Sequence, residues 1–257
     1  MHTFTIDSKH TDYTYDIQLY IPDGPVPEEG FPVIYVLDGA GYFHYVKDTI
    51  RLQSRNSPKT AVNAAIVVGI CHDESSMRTR RFYDFTAPAA EYKYPKRMNA
   101  RIPEQVGGGE DFQRFIEEEL KPKLESEYAI NRNKQTLFGH SLGGYFVLWN
   151  LFNKKSYQNY IAISPSIWWN DHELMYMSER FLMSEYEAHR LFIAVGEKEG
   201  QMVQDAETIA ENLHVSKLSV DFYVAEDENH ASVVPTVVSR ALRFVNEEAL
   251  ILKGNGK

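Results

Sequence analysis

The pentapeptide Gly139-His140-Ser141-Leu142-Gly143 sets a serine between two glycines, and its surroundings say how that serine would be held. Gln135-Thr136-Leu137-Phe138 before it reads as a buried strand. Gly144-Tyr145-Phe146-Val147-Leu148-Trp149 after it, apolar and free of proline, reads as the start of a buried helix. A chain that turns abruptly from strand to helix strains the backbone of the central residue and lifts its hydroxyl clear of the sheet. The helix N-terminus beneath it favours developing negative charge. Glycine is expected on both flanks because a Cβ at either would meet the adjacent strand or helix. The chemistry is that of a nucleophilic serine.

Serine alone is a weak nucleophile and needs a base within hydrogen-bond reach, itself oriented by an acid. The strand–turn–helix setting is the nucleophile elbow of the α/β-hydrolase fold, where the chain order is serine, acid, histidine. Nine histidines are available, and position decides among them. His44 and His72 precede the serine, and His2 and His10 lie near the start of the chain. His172, His189 and His214 fall in or beside helix-like segments. His230, in Ala225-Glu226-Asp227-Glu228-Asn229-His230, follows the last strand-like run and is the candidate base. His140, beside the serine, points away from its neighbour and suits a supporting hydrogen bond. The acid should follow the run 191–195, where Gly196-Glu197-Lys198-Glu199-Gly200 offers two carboxylates. A common spacing in this fold places the acid three residues after the glycine, which favours Glu199; Glu197 stays open, as does Asp227 on the His230 loop. The acid would hold the imidazole tautomer and stabilise the imidazolium without taking the proton.

Acyl transfer also needs donors for the tetrahedral oxyanion. The backbone N–H of Leu142, directly after the nucleophile, is one candidate. Val36-Leu37-Asp38-Gly39-Ala40-Gly41, after an early strand, offers the other at Ala40, with Gly39 permitting the tight turn. The histidines show no H-x-x-x-H pairing and there is no second cysteine, so neither a metal site nor a cofactor is expected.

These residues need a scaffold that brings distant loops to one rim. Residues 3–7 and 13–21 read as strands, the second with Tyr13, Tyr15, Ile17 and Leu19 alternating as in a half-exposed antiparallel edge. The apolar runs 32–37, 64–70, 136–138, 160–164, 191–195 and 220–225 have the pattern of parallel strands covered on both faces. Helix-like segments fall at 42–53, 111–128, 144–152, 202–214 and 234–250. The alternation predicts an α/β-hydrolase fold with a mostly parallel central sheet, helices on both faces, and one domain over 1–257. A long insert at about 72–109 departs from it and carries few helix or strand signals. It holds Arg78, Arg80, Arg81, Lys93, Lys96, Arg97 and Arg101 amid Phe82, Tyr83, Phe85, Tyr92 and Tyr94. Two readings stay open: a grip on an anionic aromatic ligand, or arginines paired with nearby acids on a packed insert.

A formal charge of −9 excludes general nucleic-acid binding. Cys71 is the only cysteine, so no intrachain disulfide can form. No apolar run approaches membrane-spanning length, and Met1-His2-Thr3-Phe4-Thr5-Ile6-Asp7 lacks a signal-peptide pattern. The expected setting is cytoplasmic, with a small-molecule ester as partner. The sequence leaves the oligomeric state open, and a monomer fits it.

The run Gly139-His140-Ser141-Leu142-Gly143-Gly144, the segment Val36-Leu37-Asp38-Gly39, and Gly108-Gly109 leading into Phe115-Ile116-Glu117-Glu118-Glu119-Leu120 resemble the esterase D-like α/β-hydrolases. Ser164-Pro165-Ser166-Ile167-Trp168-Trp169 and Glu228-Asn229-His230-Ala231-Ser232-Val233-Val234-Pro235 narrow the likeness to the trilactone siderophore esterases. With no added N-terminal domain and no secretion signal, the chain is most similar among these to the compact bacillibactin-type esterases. The resemblance implies hydrolysis of the ester backbone of bacillibactin or enterobactin to release iron. It carries the nucleophile onto Ser141, the base onto His230 and the early-loop donor onto Ala40. A ferric tris-catecholate is anionic and aromatic, which suits the insert, with Arg78 and Trp168 first for substrate contact. Trp168 or Trp169 could instead serve the core. The rivals are a general carboxylesterase or thioesterase of the same fold, an acyltransferase, and a non-catalytic siderophore-binding protein.

Overall fold

In the computed structural model, which describes residues 2–95, 98, 103–182 and 190–246, the chain opens with an antiparallel pair. This is β1 (His2–Ser8) with β2 (Tyr13–Tyr20). Then follow β3 (Phe31–Leu37), α1 (Gly39–Gln53), a short α2 (Ser57–Thr60) and β4 (Ile66–Cys71). The insert contributes α3 (Met77–Asp84). Next, α4 (Gly109–Arg114) runs through a π-helical turn (Phe115–Leu120) into α5 (Lys121–Glu127). The second half alternates regularly: β5 (Ile130–His140), α6 (Leu142–Asn153), β6 (Asn159–Ile163), α7 (Glu173–Leu182), β7 (Arg190–Gly196), α8 (Gln201–Leu213), β8 (Ser219–Ala225) and α9 (Val233–Val245).

The eight strands form one sheet in the order β1-β2-β4-β3-β5-β6-β7-β8. Contacts from β4 through β8 are parallel, and β2 joins β4 antiparallel. Every residue of β4 is buried, as two covered faces require. One core packs α4, α6 and α8 on one face; the other packs α1 and α9 on the opposite face through Phe43, Val46, Ile50, Val234 and Val238. All parallel strands end at the same rim. The loops after β3, β5, β6, β7 and β8 carry Ala40, Ser141, Trp168, Glu199 and His230 in turn.

Several local expectations change. β2 is not the edge: β1 covers it, while Tyr15, Ile17 and Leu19 are buried and Asp16 between them is exposed. β5 begins six residues before 136: Ile130 pairs with Phe31 of β3, and exposed Arg132, Asn133 and Lys134 span a register shift before Gln135 pairs with Val33, a start that apolar runs cannot reveal. The insert folds a helix the sequence pattern did not signal, held by an Arg80–Asp84 pair one turn apart. Helix α7 forms where no helix is expected, with Leu174, Ser178 and Phe181 on its buried side. Of the helix expected at 234–250, residues 247–250 lie outside the described residues, as do Lys96, Arg97 and Arg101 of the insert and His189.

Candidate active site

Ser141 caps α6 with φ 59° and ψ −118°, a conformation that costs a non-glycine residue free energy. Close packing fixes this turn. A Cβ on Gly139 would fall 2.3 Å from the carbonyl oxygen of Gly143, so glycine is obligatory there. The expected constraint at Gly143 does not hold: the nearest atom to its Cβ position is 3.5 Å away. The second tight position is Gly144, whose Cβ would press on Ile163 and Pro165 at 3.0 Å. The helix packs against the next strand there, one residue later than the motif suggests.

The Ser141 hydroxyl lies 3.0 Å from His230 Nε2. His230 Nδ1 lies 2.6 Å from Glu199 Oε2, so the ring donates to the carboxylate and accepts from the serine. The other carboxylate oxygen, Oε1, accepts from Ser164 Oγ at 2.5 Å and the Gly196 N–H at 2.6 Å. Burial alone would raise the Glu199 pKa, but hydrogen bonds from His230, Ser164 and Gly196 outweigh it and hold the carboxyl below its usual range. The group is therefore an anion through neutral pH. Ser164, like Ser141, has positive φ (43°), so two strained serines flank the same cluster.

Of the three carboxylates left open, only Glu199 touches the imidazole. Glu197 turns outward and accepts the Asp227 N–H at 2.9 Å, while Asp227 pairs with Lys198. His140 meets the His230 carbonyl and the Tyr42 hydroxyl, away from Ser141 Oγ.

Leu142 is the first residue of α6 and Ala40 the second of α1, so both N–H groups belong to first helical turns, which have no intrahelical acceptor. Gly39 holds the second turn tight against β4: a Cβ there would meet Gly69 and Cys71 Sγ at 2.7 Å. The Cys71 thiol beneath this loop is pushed up to about 12 by burial, with the Ala40 N–H favouring its thiolate. Ahead of Gly39, Asp38 adopts φ 53° and receives a two-pronged ion pair from Arg81 Nε (2.6 Å) and Nη2 (2.8 Å).

The insert divides between its two readings. Arg80 pairs with buried Asp84, Arg81 with Asp38 and Lys93 with Asp171, so these cations are matched by acids. Arg78 is exposed on α3 and no described residue pairs with it. Trp169 is fully buried and packs on Phe82, Tyr92 and Tyr94, which makes it the anchor for the insert. Trp168 stands half-buried beside it. Ser166, which residue pattern did not single out for chemistry, lies 3.4 Å from the Ser141 hydroxyl. Only its place two residues after Ser164, at the end of β6, could have pointed to it.

Among the described residues no group of three or more His, Cys, Asp or Glu side chains could hold a metal, and no helix is long and apolar enough to cross a membrane.

The Esterase family model matches residues 8–235. The chain is 39% identical over 251 residues to the ferri-bacillibactin esterase BesA of Bacillus subtilis (strain 168), covering 93% of this chain and 87% of that one. The BES protein from Bacillus cereus superposes with a TM-score of 0.87 at 39% identity, covering 95% of each chain. The siderophore hydrolase EstA from Aspergillus nidulans superposes with a TM-score of 0.81 at 26% identity, over 96% of this chain and 94% of that one.

Proposed function

Because the chain belongs to the Esterase family, we propose that it is a serine esterase cleaving the trilactone ester bonds of a catecholate siderophore such as ferric bacillibactin or enterobactin. The observation that carries the chemistry is the unbroken contact from Ser141 Oγ through His230 to Glu199, at 3.0 and 2.6 Å. The substrate class rests on the relatives, above all the 39% identity to a ferri-bacillibactin esterase across 93% of the chain.

In this reading Ser141 Oγ attacks the ester carbonyl carbon as its proton passes to His230 Nε2. The carbonyl electrons move to oxygen, and the oxyanion is met by the N–H of Leu142 and by that of Ala40, which gives up its weak contact with the Cys71 thiol to do so. Collapse breaks the C–O bond, and the leaving alkoxide takes the proton from Nε2. Water then enters, His230 removes its proton, and the acyl–Oγ bond breaks to free the acid and regenerate the serine. Glu199 stays ionised and stabilises the imidazolium at each stage. Any iron belongs to the substrate as cargo. Arg78, exposed on α3 with no partner among the described residues, is assigned to an anionic catecholate face, and Trp168 to its aromatic rings. The chain works as one domain over 1–257, and we place it in the cytoplasm, where Cys71 stays a thiol.

The test compares wild type and Ser141→Ala on ferric bacillibactin and on a p-nitrophenyl ester, with fluorophosphonate labelling of the serine. The expected result is rapid trilactone cleavage and labelling by wild type, and neither by Ser141→Ala. Trilactone turnover no faster than nitrophenyl turnover would instead mark a general carboxylesterase. Cleavage that persists in Ser141→Ala would end the serine mechanism.

A further inference from the structure

His140 ends β5 directly before the nucleophile and is almost fully buried, yet its ring makes two directed contacts. Nε2 lies 3.0 Å from the backbone carbonyl oxygen of His230, and Nδ1 lies 2.8 Å from the Tyr42 hydroxyl. The two imidazole rings sit 4.5 Å apart between centroids. A carbonyl oxygen can only accept, so Nε2 must carry the hydrogen. A neutral ring has one N–H, which leaves Nδ1 bare and ready to accept from Tyr42.

From this geometry we infer that Tyr42 and His140 are positioning residues that hold the His230 loop to the helix bearing Ala40. The inference rests on the reading of His230 as the general base. Its side chain is half exposed, and its two ring nitrogens are already committed to Ser141 and Glu199. The backbone behind that ring needs its own anchor, and the His140 N–H supplies it. Tyr42 stands two residues after Ala40 on α1, and its own N–H donates to Asp38 at 3.2 Å. One imidazole therefore refers both the oxyanion loop and the base loop to the end of β5, where the nucleophile begins.

Burial, together with the nearby His230, pushes the His140 pKa down to about 4, and burial raises that of Tyr42. Both groups are thus neutral at working pH. The neutral state has a second consequence: no standing positive charge faces the imidazolium that His230 becomes in the reaction. A charged His140 at that distance would oppose the proton transfer.

The test uses the full-length protein and three variants: Tyr42→Phe, His140→Leu and His140→Gln, whose amide N–H can reach the same carbonyl. The probes are p-nitrophenyl butyrate kinetics, the rate of fluorophosphonate labelling, and ¹⁵N chemical shifts of histidine-labelled wild type. The expected wild-type spectrum has His140 as the Nε2–H tautomer at neutral pH. His140→Leu should lose about 10²-fold in kcat with KM within about twofold, the scale of a roughly 1 Å misplacement of a catalytic group. His140→Gln should recover to within about tenfold of wild type, Tyr42→Phe should lose about threefold to tenfold, and labelling should fall in parallel. An Nδ1–H tautomer in wild type would overturn the proposal whether or not the variants fold. So would equal kcat in the Leu and Gln variants, or a loss confined to KM. Ser141→Ala separates the two levels: if it is inert while His140→Leu keeps wild-type kcat, the positioning role fails and the serine mechanism stands.

Discussion

Arg81, on the insert helix, grips Asp38 through two parallel hydrogen bonds of 2.6 and 2.8 Å, and so fastens the insert to the loop that presents Ala40. The Asp38 side chain is 8% exposed and that of Arg81 22%, so the pair is largely withdrawn from water. Removing the arginine would leave a carboxylate with no paired cation among the described residues, next to a backbone that already sits at positive φ. The insert is thereby a support for the rim that carries Ser141, His230 and Glu199 as well as a candidate substrate surface.

Arg81→Ala should therefore lower kcat for a neutral nitrophenyl ester by about 10²-fold, the scale of losing one oxyanion donor. Stability should fall by about 1.5–3 kcal/mol, the range for hydrogen bonds to a charged group. Arg81→Lys keeps the charge but not the fork and should recover only part of either loss. Steady-state kinetics and urea unfolding measure both. Unchanged kcat in Arg81→Ala would mean that the Asp38 turn holds itself.

Glu199→Gln should cost about 10³–10⁴ in kcat, because the amide cannot stabilise the imidazolium and can present the wrong group to Nδ1. Glu197→Gln should stay within about twofold of wild type, since Glu197 is spent on the Asp227 N–H at the surface. The pair of variants, assayed side by side on one ester, decides which carboxylate works. The reverse ranking would reassign the acid.

Much of this rim was legible in the chain. The elbow announces itself because strand, turn and buried helix each have their own pattern, and Gly139 meets a steric demand the motif encodes. His230 and Glu199 were reachable because the fold orders its loops along the sequence. What was not legible depends on partners distant in sequence. Ser164 becomes a ligand of Glu199 only when β6 lies beside β7, across 35 residues of chain. The Arg81–Asp38 pair spans 43 residues, and nothing in either segment names the other. The Arg80–Asp84 pair that orders α3 is local, but a segment this short and polar, with only Met77, Phe82 and Tyr83 as apolar side chains, is too weak a signal to read as a helix. The cations of the insert counted as a patch in the sequence; folding matches three of the described ones with acids and leaves Arg78.

That division makes Arg78 the discriminating residue for substrate charge. Arg78→Ala should raise KM for a ferric tris-catecholate by about tenfold, near the 1.4 kcal/mol expected of one partly solvated charge contact. KM for a neutral nitrophenyl ester should stay within about twofold. The effect should shrink as salt is added, because an exposed cation is screened. Equal effects on both substrates would remove Arg78 from anion recognition.

His140 also gives the fold a built-in sensitivity to acid. Its pKa is about 4 in the folded chain, against an ordinary value of 6.5, because burial disfavours the imidazolium. Above about pH 6.5 both folded and unfolded chains leave the ring neutral, and the group has no effect on stability. As pH falls below that value the unfolded chain takes up a proton that the folded chain refuses, so stability drops until about pH 4, where both are protonated. At pH 5 the linkage relation gives a loss of about 2 kcal/mol relative to pH 7.5 from this residue alone. Urea unfolding of wild type and His140→Gln at the two pH values isolates it, since other titrations are common to both proteins. Wild type should lose about 2 kcal/mol more than the variant over that interval. Identical losses would mean that His140 takes up its proton as readily in the folded protein as in the unfolded one, and burial of the ring that ties α1 to the His230 loop would then not be what keeps it neutral.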